Sequence, residues 1–167
     1  AGVSQRVPAG MGGSHGLRCA GSQAQPAASG AKGNQIALKL LLDEHIWPGI
    51  AALVKQMIPA ADAESIHGFC GGRLMNSDDC VILHEAHLAG RVLVTYDVNT
   101  IPTLLQEMAA ANEEHSGVIF ISSKSFAQND HKRIARALAE FLRDEAGAVW
   151  TNRVMFVSAP RGGGTNK

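Results

Sequence analysis

Beyond residue 35, apolar residues fall into short and nearly continuous blocks. This is the pattern of strands that are buried on both faces of a sheet. Five blocks predict strands, at residues 36–42, 63–69, 91–95, 117–122 and 153–157. The blocks IALKLLL, RVLVT and GVIFIS are the clearest, and the block at 63–69 is the weakest. The pattern favours a parallel sheet.

Between the blocks, apolar residues recur at helical spacing. Ile50, Leu53, Val54 and Met57 follow the i, i+3, i+4, i+7 pattern of one helical face. The same reasoning predicts four helices, at about residues 48–58, 79–89, 101–113 and 130–146. Asn76 or Ser77 is expected to cap the N-terminus of the helix at 79–89. Gly90 is expected to end that helix, and Gly147 the helix at 130–146. Strict alternation of strand and helix predicts a three-layer α/β/α fold. Its central sheet should be mainly parallel, with about five strands.

The two ends of the chain differ from this ordered region. Residues 1–34 are rich in Gly, Ala, Ser, Gln and Pro and contain no Asp or Glu. We therefore expect a disordered leader or an expression-derived segment there. One domain is expected over residues 35–157, followed by a flexible tail over 158–167.

Composition narrows the functional classes. The 167 residues carry 15 basic and 15 acidic side chains, so there is no global basic footprint for nucleic acid. Aromatic residues make up only 5%, which argues against binding dominated by base stacking. Three cysteines without CxxC spacing argue against a disulfide framework or a zinc site and favour a reducing compartment. With no apolar run of membrane-spanning length and no signal-peptide pattern, we expect a cytoplasmic protein with no membrane association.

Three carboxylates are expected to meet at one edge of the sheet. Asp43 and Asp97 follow the ends of two predicted strands, and parallel strands end at the same edge. Asp79 begins the helix that leads into the Asp97 strand, so the topology returns it to that edge. Because clustered carboxylates repel one another, a hard cation such as Mg²⁺ or Mn²⁺ is the natural counter-charge. This chemistry suits metal-assisted hydrolysis of a phosphodiester.

Each of these carboxylates also has an ordinary structural interpretation. Asp79 would be favourable in the first turn of any helix because of the helix dipole. Asp97 before Asn99 is consistent with turn chemistry, and Asp43 with capping of the next helix. The conjunction of the three residues is what favours a functional site.

The motifs LLLDEHIWP, RVLVTYD and GVIFIS, in this order, resemble those of PIN domains and of a bacterial PIN-like family of unknown function. The resemblance extends from about residue 36 to 157. It implies a Mg²⁺- or Mn²⁺-dependent ribonuclease, and many such proteins are toxins of toxin–antitoxin pairs. Asp43, Asp79 and Asp97 match the acidic positions of the family, and Glu44 matches the second letter of its opening DE. Thr95 belongs to the TxD motif.

The chain also departs from the family pattern. His45 replaces the usual Asn after DE, Asn99 replaces the second Asp of the D-x-D-F motif, and Thr100 replaces its Phe. Asn99 still offers a carbonyl oxygen to a metal, but it brings no charge. Glu64 is the candidate, by elimination, for the acidic residue that PIN domains often carry on an earlier helix.

Further residues have supporting roles in this hypothesis. His45 is a candidate proton shuttle because it stands beside Asp43. Arg73 and Arg91 are candidates for contacts with substrate phosphate. The expected partners are an RNA substrate, an antitoxin protein and, as in many PIN-type proteins, a second copy of the chain.

Two alternatives remain open from the sequence. The Asn99 replacement is consistent with a catalytically silent PIN-like binding module. Asp43-Glu44, Asp97 and the pair Ser122 and Lys124 follow three different strands, which loosely resembles a receiver-like domain that accepts a phosphoryl group on Asp97. That alternative leaves Asp79 without a role.

Overall fold

The computed structural model describes residues 38–127 and 129–159, so the leader and most of the tail predicted above lie outside the described residues. Five strands form one parallel sheet: β1 (Lys39–Leu42), β2 (Asp62–Ser65), β3 (Arg91–Thr95), β4 (Val118–Ile121) and β5 (Val154–Val157). Four helices connect them: α1 (Gly49–Met57), α2 (Asp79–Leu88), α3 (Thr100–Ala110) and α4 (His131–Asp144). The predicted three-layer α/β/α fold with a parallel sheet is confirmed.

The local predictions are confirmed for most elements and wrong at some boundaries. β3 and the start of α2 lie where the pattern placed them, and Gly90 ends α2 at a φ of +61°. The N-cap of α2 is Asp78, not Asn76 or Ser77, because Asp78 is the last residue with extended backbone before the helix. β2 ends at Ser65, and the chain continues into a 3₁₀ turn at Phe69–Gly72.

The strand order across the sheet is β2-β1-β3-β4-β5. β1 and β3 are neighbours in this order, and the chain leaves their carboxyl ends in opposite directions across the sheet. In open α/β sheets such a switch point opens a crevice that commonly holds the ligand. The topology therefore singles out the region just beyond Leu42 and Thr95.

Alternation along the strands divides the core into two layers. Leu40 and Leu42 of β1 pack towards α1 and α4, whereas Leu41 packs towards α2 and α3. The β4–α4–β5 connection moves across the sheet in the same direction as β3–α3–β4, but its helix lies on the opposite face. The two connections therefore have opposite hands, which is rare in parallel sheets. As a result, no described helix covers β5 on the α2/α3 face.

A hydrogen-bonded network around His115 closes the amino edge of the sheet. The N–H of His115 donates to Asn152 Oδ1 at 3.0 Å, and the N–H of Gly117 donates to His115 Nδ1 at 3.1 Å. Burial lowers the pKa of His115, and the nearby His87 lowers it further. Gly117 has a φ of +105°, and a Cβ there would lie 2.7 Å from the carbonyl oxygen of Trp150. This position therefore requires glycine.

Two observations bear on the expected environment of the protein. Among the described residues, no helix is long and apolar enough to cross a membrane. The cysteine pattern argued against a disulfide framework and favoured a reducing compartment, but Cys70 is disulfide-bonded. Cys80 is a free, exposed thiol. The cysteines therefore no longer indicate a compartment.

Candidate active site at the carboxyl edge of the sheet

Asp43 is the buried centre of the candidate site. It follows β1 directly, and its N–H donates to the carbonyl oxygen of Val94 at 3.0 Å, which extends the pairing with β3. Only 7% of the residue is exposed. Its Oδ1 accepts from the N–H of Glu44 and its Oδ2 from the hydroxyl of Thr95, both at 2.7 Å. These two bonds stabilise the carboxylate and fix its orientation.

Thr95 links two of the three predicted acids. It is the last residue of β3 and is fully buried. While its hydroxyl donates to Asp43, its Oγ1 accepts from the N–H of Asp97 at 3.0 Å. One side chain thus couples the position of the Asp43 carboxylate to the backbone of Asp97.

The side chain of Asp97 accepts backbone hydrogen bonds in the turn that follows β3, as its position before Asn99 suggested. Its Oδ1 accepts from the N–H of Asn99 at 2.8 Å and of Thr100 at 2.9 Å, at the start of α3. Burial raises the pKa of Asp97, but these hydrogen bonds outweigh it, so the pKa lies below its ordinary value. A hydrogen bond from the Thr100 side chain lowers the pKa further. Asp97 is thus an ionised carboxylate held at the start of α3.

Asp79, the first residue of α2, is the third acid. Burial raises its pKa, and the charges of Asp97, Asp43 and Glu44 raise it further, whereas His45 lowers it. The charges that act on Asp79 thus belong to two other connections of the fold, which end at the same edge of the sheet. No described residue donates a hydrogen bond to Asp79, so its carboxylate is available to a ligand.

Glu44 and His45 lie beside this group. Glu44 Oε2 accepts from the N–H of Asn76 at 3.0 Å and so ties the segment before α2 to the end of β1. His45 is exposed, with its Nδ1 3.8 Å from Asp43 Oδ2 and its Nε2 4.0 Å from Glu44 Oε1. Glu44 therefore positions the loop, and His45 is the titratable side chain open to solvent.

Arg91 does not lie beside the acids. It begins β3 and therefore stands at the amino edge of the sheet, about 13 Å along the strand from Thr95. Its guanidinium bonds to Asp62 Oδ1 at 2.8 Å and Glu64 Oε2 at 3.2 Å. Glu64 is part of β2 and not of a helix, and it is engaged in this ion pair. The structure thus gives both residues a different role from the one suggested by the sequence.

The remaining predicted residues lie on the correct edge but are exposed. Arg73 lies between the carboxyl end of β2 and the start of α2. Asn99 follows Asp97 at the start of α3, with its N–H bound to that carboxylate. Asn99 is therefore the residue of this pair that lies directly beside a predicted acid.

An aromatic contact at the same edge escaped the sequence reasoning. The ring of Trp47, four residues after Asp43, stacks on His131 with centroids 4.4 Å apart. A Cβ at Gly49 would lie 2.1 Å from the Trp47 ring, so only glycine lets the indole lie there. The contact holds the loop after β1 against the start of α4. The sequence WPG was its only visible signal.

The carboxylate oxygens of the site suit a metal cation that needs few protein ligands. Within residues 38–127 and 129–159, no group of three or more His, Cys, Asp or Glu side chains is arranged to hold a metal ion. Mg²⁺, however, is usually held by one or two carboxylates together with waters and substrate phosphates. The carboxylates of Asp97 and Asp79 fit that pattern, and a cation would relieve the repulsion that contributes to the raised pKa of Asp79.

Comparisons of the chain with protein-family models, with curated proteins and with solved structures find no match. The resemblance to PIN domains therefore rests on the sequence motifs alone.

Proposed function

We propose that this protein is a Mg²⁺- or Mn²⁺-dependent ribonuclease of PIN-like type. The observation that supports this most is the shared electrostatic environment of Asp43, Asp79 and Asp97 at the switch point of the sheet. Three acids from separate parts of the chain repel one another there, and one of them is buried. Such an arrangement costs stability unless a cation or its substrate compensates for it.

The residues have distinct roles in this proposal. Asp43, Asp97 and Asp79 would hold the metal, with the Asn99 carbonyl as a further donor. When bound, the metal lowers the pKa of an attacking water and stabilises the charge that develops on the phosphate. Thr95 orients the Asp43 carboxylate, and exposed His45 carries a proton to or from solvent.

The test is cleavage of single-stranded RNA by the purified chain with Mn²⁺ or Mg²⁺. Asp97→Asn should abolish cleavage, whereas Glu113→Gln, an exposed acid after α3, should leave it unchanged. Mn²⁺ should also raise the melting temperature of the wild type more than that of Asp97→Asn. Cleavage that survives EDTA would falsify the metal-dependent mechanism.

Asp79→Asn separates the chemistry from folding. Because the folded-state pKa of Asp79 is raised, the ionised side chain destabilises the fold as the pH rises above about 4. Asp79→Asn should therefore be at least as stable as the wild type at pH 7 in urea unfolding without metal, yet inactive on RNA. An active variant would remove Asp79 from the proposed site.

The wider biological role is proposed from the motif resemblance. A ribonuclease of this class would act in the cytoplasm as the toxin of a toxin–antitoxin pair, held inactive by an antitoxin protein, and would form homodimers. Induced expression in a bacterial host should then arrest growth, and Asp97→Asn should not. Light scattering of the purified chain tests the dimer.

A second candidate is a catalytically silent PIN-like binding module. It is favoured by the use of Asp97 Oδ1 to start α3 and by the uncharged Asn99. Calorimetry with millimolar Mn²⁺ distinguishes the two functions, since a silent module gives neither heat of binding nor cleavage. Stable acylphosphate on Asp97 after incubation with a small phosphodonor and Mg²⁺ would instead support the receiver-like alternative.

A further inference from the structure

The outer edge of β5 presents backbone groups that pair with no other strand within residues 38–127 and 129–159. The N–H of Ser122 donates to the carbonyl oxygen of Val157 at 3.1 Å, so Val157 directs its backbone towards β4. Because backbone direction alternates along a strand, Val154 and Phe156 direct their N–H and C=O groups away from the sheet. These groups form a template on which a further strand can pair.

The side chains of these two residues form an exposed apolar surface beside that template. Val154 is 42% exposed and Phe156 is 61% exposed. The ring of Phe156 stacks on Phe120, with centroids 5.1 Å apart, which places it on the α2/α3 face of the sheet. No described helix covers β5 there, because α4 crosses on the other face.

The opposite face of the same edge is acidic. A cavity of about 330 Å³ lies between α4 and β5, with Glu140, Asp144 and Met155 in its lining. Glu145 is neutralised by Arg153 at 2.9 Å. Glu140 and Asp144 are exposed and form no ion pair with another described residue. The edge thus combines an apolar face with a negatively charged one.

We propose that this edge binds an extended segment of a partner protein in which apolar and basic residues alternate, and that the segment adds to β5 as a sixth strand. Directly paired residues lie on the same face of a sheet. Partner residues opposite Val154 and Phe156 would therefore pack as apolar side chains. Those between them would direct Lys or Arg towards Glu140 and Asp144.

A second copy of this chain fits the edge less well. Pairing of two β5 strands about a two-fold axis brings the two α4 helices side by side on the same face. Glu140 and Asp144 of both copies would then meet across the seam and repel one another. The charge pattern selects a basic segment over self-association.

The probe is a fluorescein-labelled eight-residue peptide of alternating valine and lysine, and the readout is fluorescence anisotropy with the full chain. We expect saturable binding that weakens as salt is raised from about 50 to about 300 mM. The same peptide with glutamate in place of lysine should not bind. Glu140→Lys/Asp144→Lys should weaken binding by at least about tenfold.

Two control variants identify the surface and the mode of binding. Glu107→Lys/Glu113→Lys makes the same change in net charge on exposed residues in and after α3, and it should leave the affinity unchanged. Val154→Pro removes an outward N–H at the first residue of an edge strand, where proline is tolerated, and it should also weaken binding by at least about tenfold. Circular dichroism and thermal unfolding establish whether each variant is folded.

Three results would overturn the proposal. The first is an absence of saturable binding by the valine–lysine peptide. The second is equal loss of binding in both charge-reversal pairs, because the attraction would then be non-specific. The third is a wild-type dimer in analytical ultracentrifugation that Val154→Pro dissociates, because a second copy would then occupy the edge. If Val154→Pro does not fold, the comparison of the two charge-reversal pairs decides.

Discussion

Replacing Thr95 by valine should uncouple the buried acid from the turn that follows β3. Valine has nearly the shape of threonine but cannot donate to Asp43 Oδ2 or accept from the N–H of Asp97, bonds of 2.7 and 3.0 Å in the structure. The bond to the carboxylate is worth about 1.5–3 kcal/mol and the backbone bond about 0.5–1.5 kcal/mol. Asp43 keeps its bond from the N–H of Glu44. We therefore expect Thr95→Val to lower the free energy of unfolding by about 2–4 kcal/mol.

The measurement is urea unfolding followed by circular dichroism at pH 7. For a domain of this size, the expected loss corresponds to a fall in the midpoint of about 1–2 M urea. Thr95→Ser is the matched control, because it keeps the hydroxyl and loses only a buried methyl group, which is worth about 1 kcal/mol. RNA cleavage should fall in Thr95→Val and persist in Thr95→Ser.

A reversed order of stability in the two variants would refute the role assigned to the Thr95 hydroxyl. Thr95→Val within about 0.5 kcal/mol of the wild type, with Thr95→Ser less stable than Thr95→Val, would mean that packing of the methyl group dominates at this position. The coupling of Asp43 to Asp97 would then have no energetic basis.

Three further predictions concern the amino edge of the sheet. His115 has a lowered pKa, so the unfolded chain takes up a proton before the folded one as the pH falls. The stabilising effect should therefore be complete above about pH 6.5 and should decline below it. His115→Asn should flatten that decline in urea unfolding measured from pH 7.5 to 5. A slope unchanged in the variant would exclude His115 as its source. Gly117→Ala should lower the free energy of unfolding by more than about 2 kcal/mol, because its Cβ would meet the Trp150 carbonyl. Gly90→Ala, whose Cβ would enter open space, should lower it by about 1 kcal/mol. Equal losses of stability in chemical unfolding would refute the steric argument. Arg91→Ala should lower the free energy of unfolding by about 1–2 kcal/mol, a modest loss because the ion-pair partners of Arg91 are partly exposed. It should leave RNA cleavage by the folded protein unchanged. A selective loss of cleavage would instead support the contact with substrate phosphate that the sequence suggested.

The sequence was most informative where local and tertiary preferences agree. The block RVLVT forms a strand at its predicted residues, because β-branched residues suit an extended, doubly buried segment. α2 ends before Gly90, where a left-handed backbone is needed and glycine adopts it without strain. The placement of Asp43, Asp79 and Asp97 at one edge followed from alternation alone, because parallel strands end together.

The sequence was less informative about residues whose partners are distant in the chain. Arg91 looked like a free cation, but β2 supplies Asp62 and Glu64, 29 and 27 residues earlier, as its partners. The stacking of Trp47 on His131 joins the loop after β1 to the first residue of α4, which lies most of the domain away in the chain. Neither contact leaves a periodic signal, since each depends on which strands become neighbours.

By itself, then, the sequence determined the order of the elements, the parallel sheet and the acids that gather at its carboxyl edge, because hydrophobic periodicity and chain direction are local properties. The tertiary structure alone decided the strand order, the placement of α4 on the α1 face and hence the face of β5 that no described helix covers. It also decided that Thr95 joins Asp43 to Asp97, since a hydrogen bond across 52 residues of chain requires β1 and β3 to pair first.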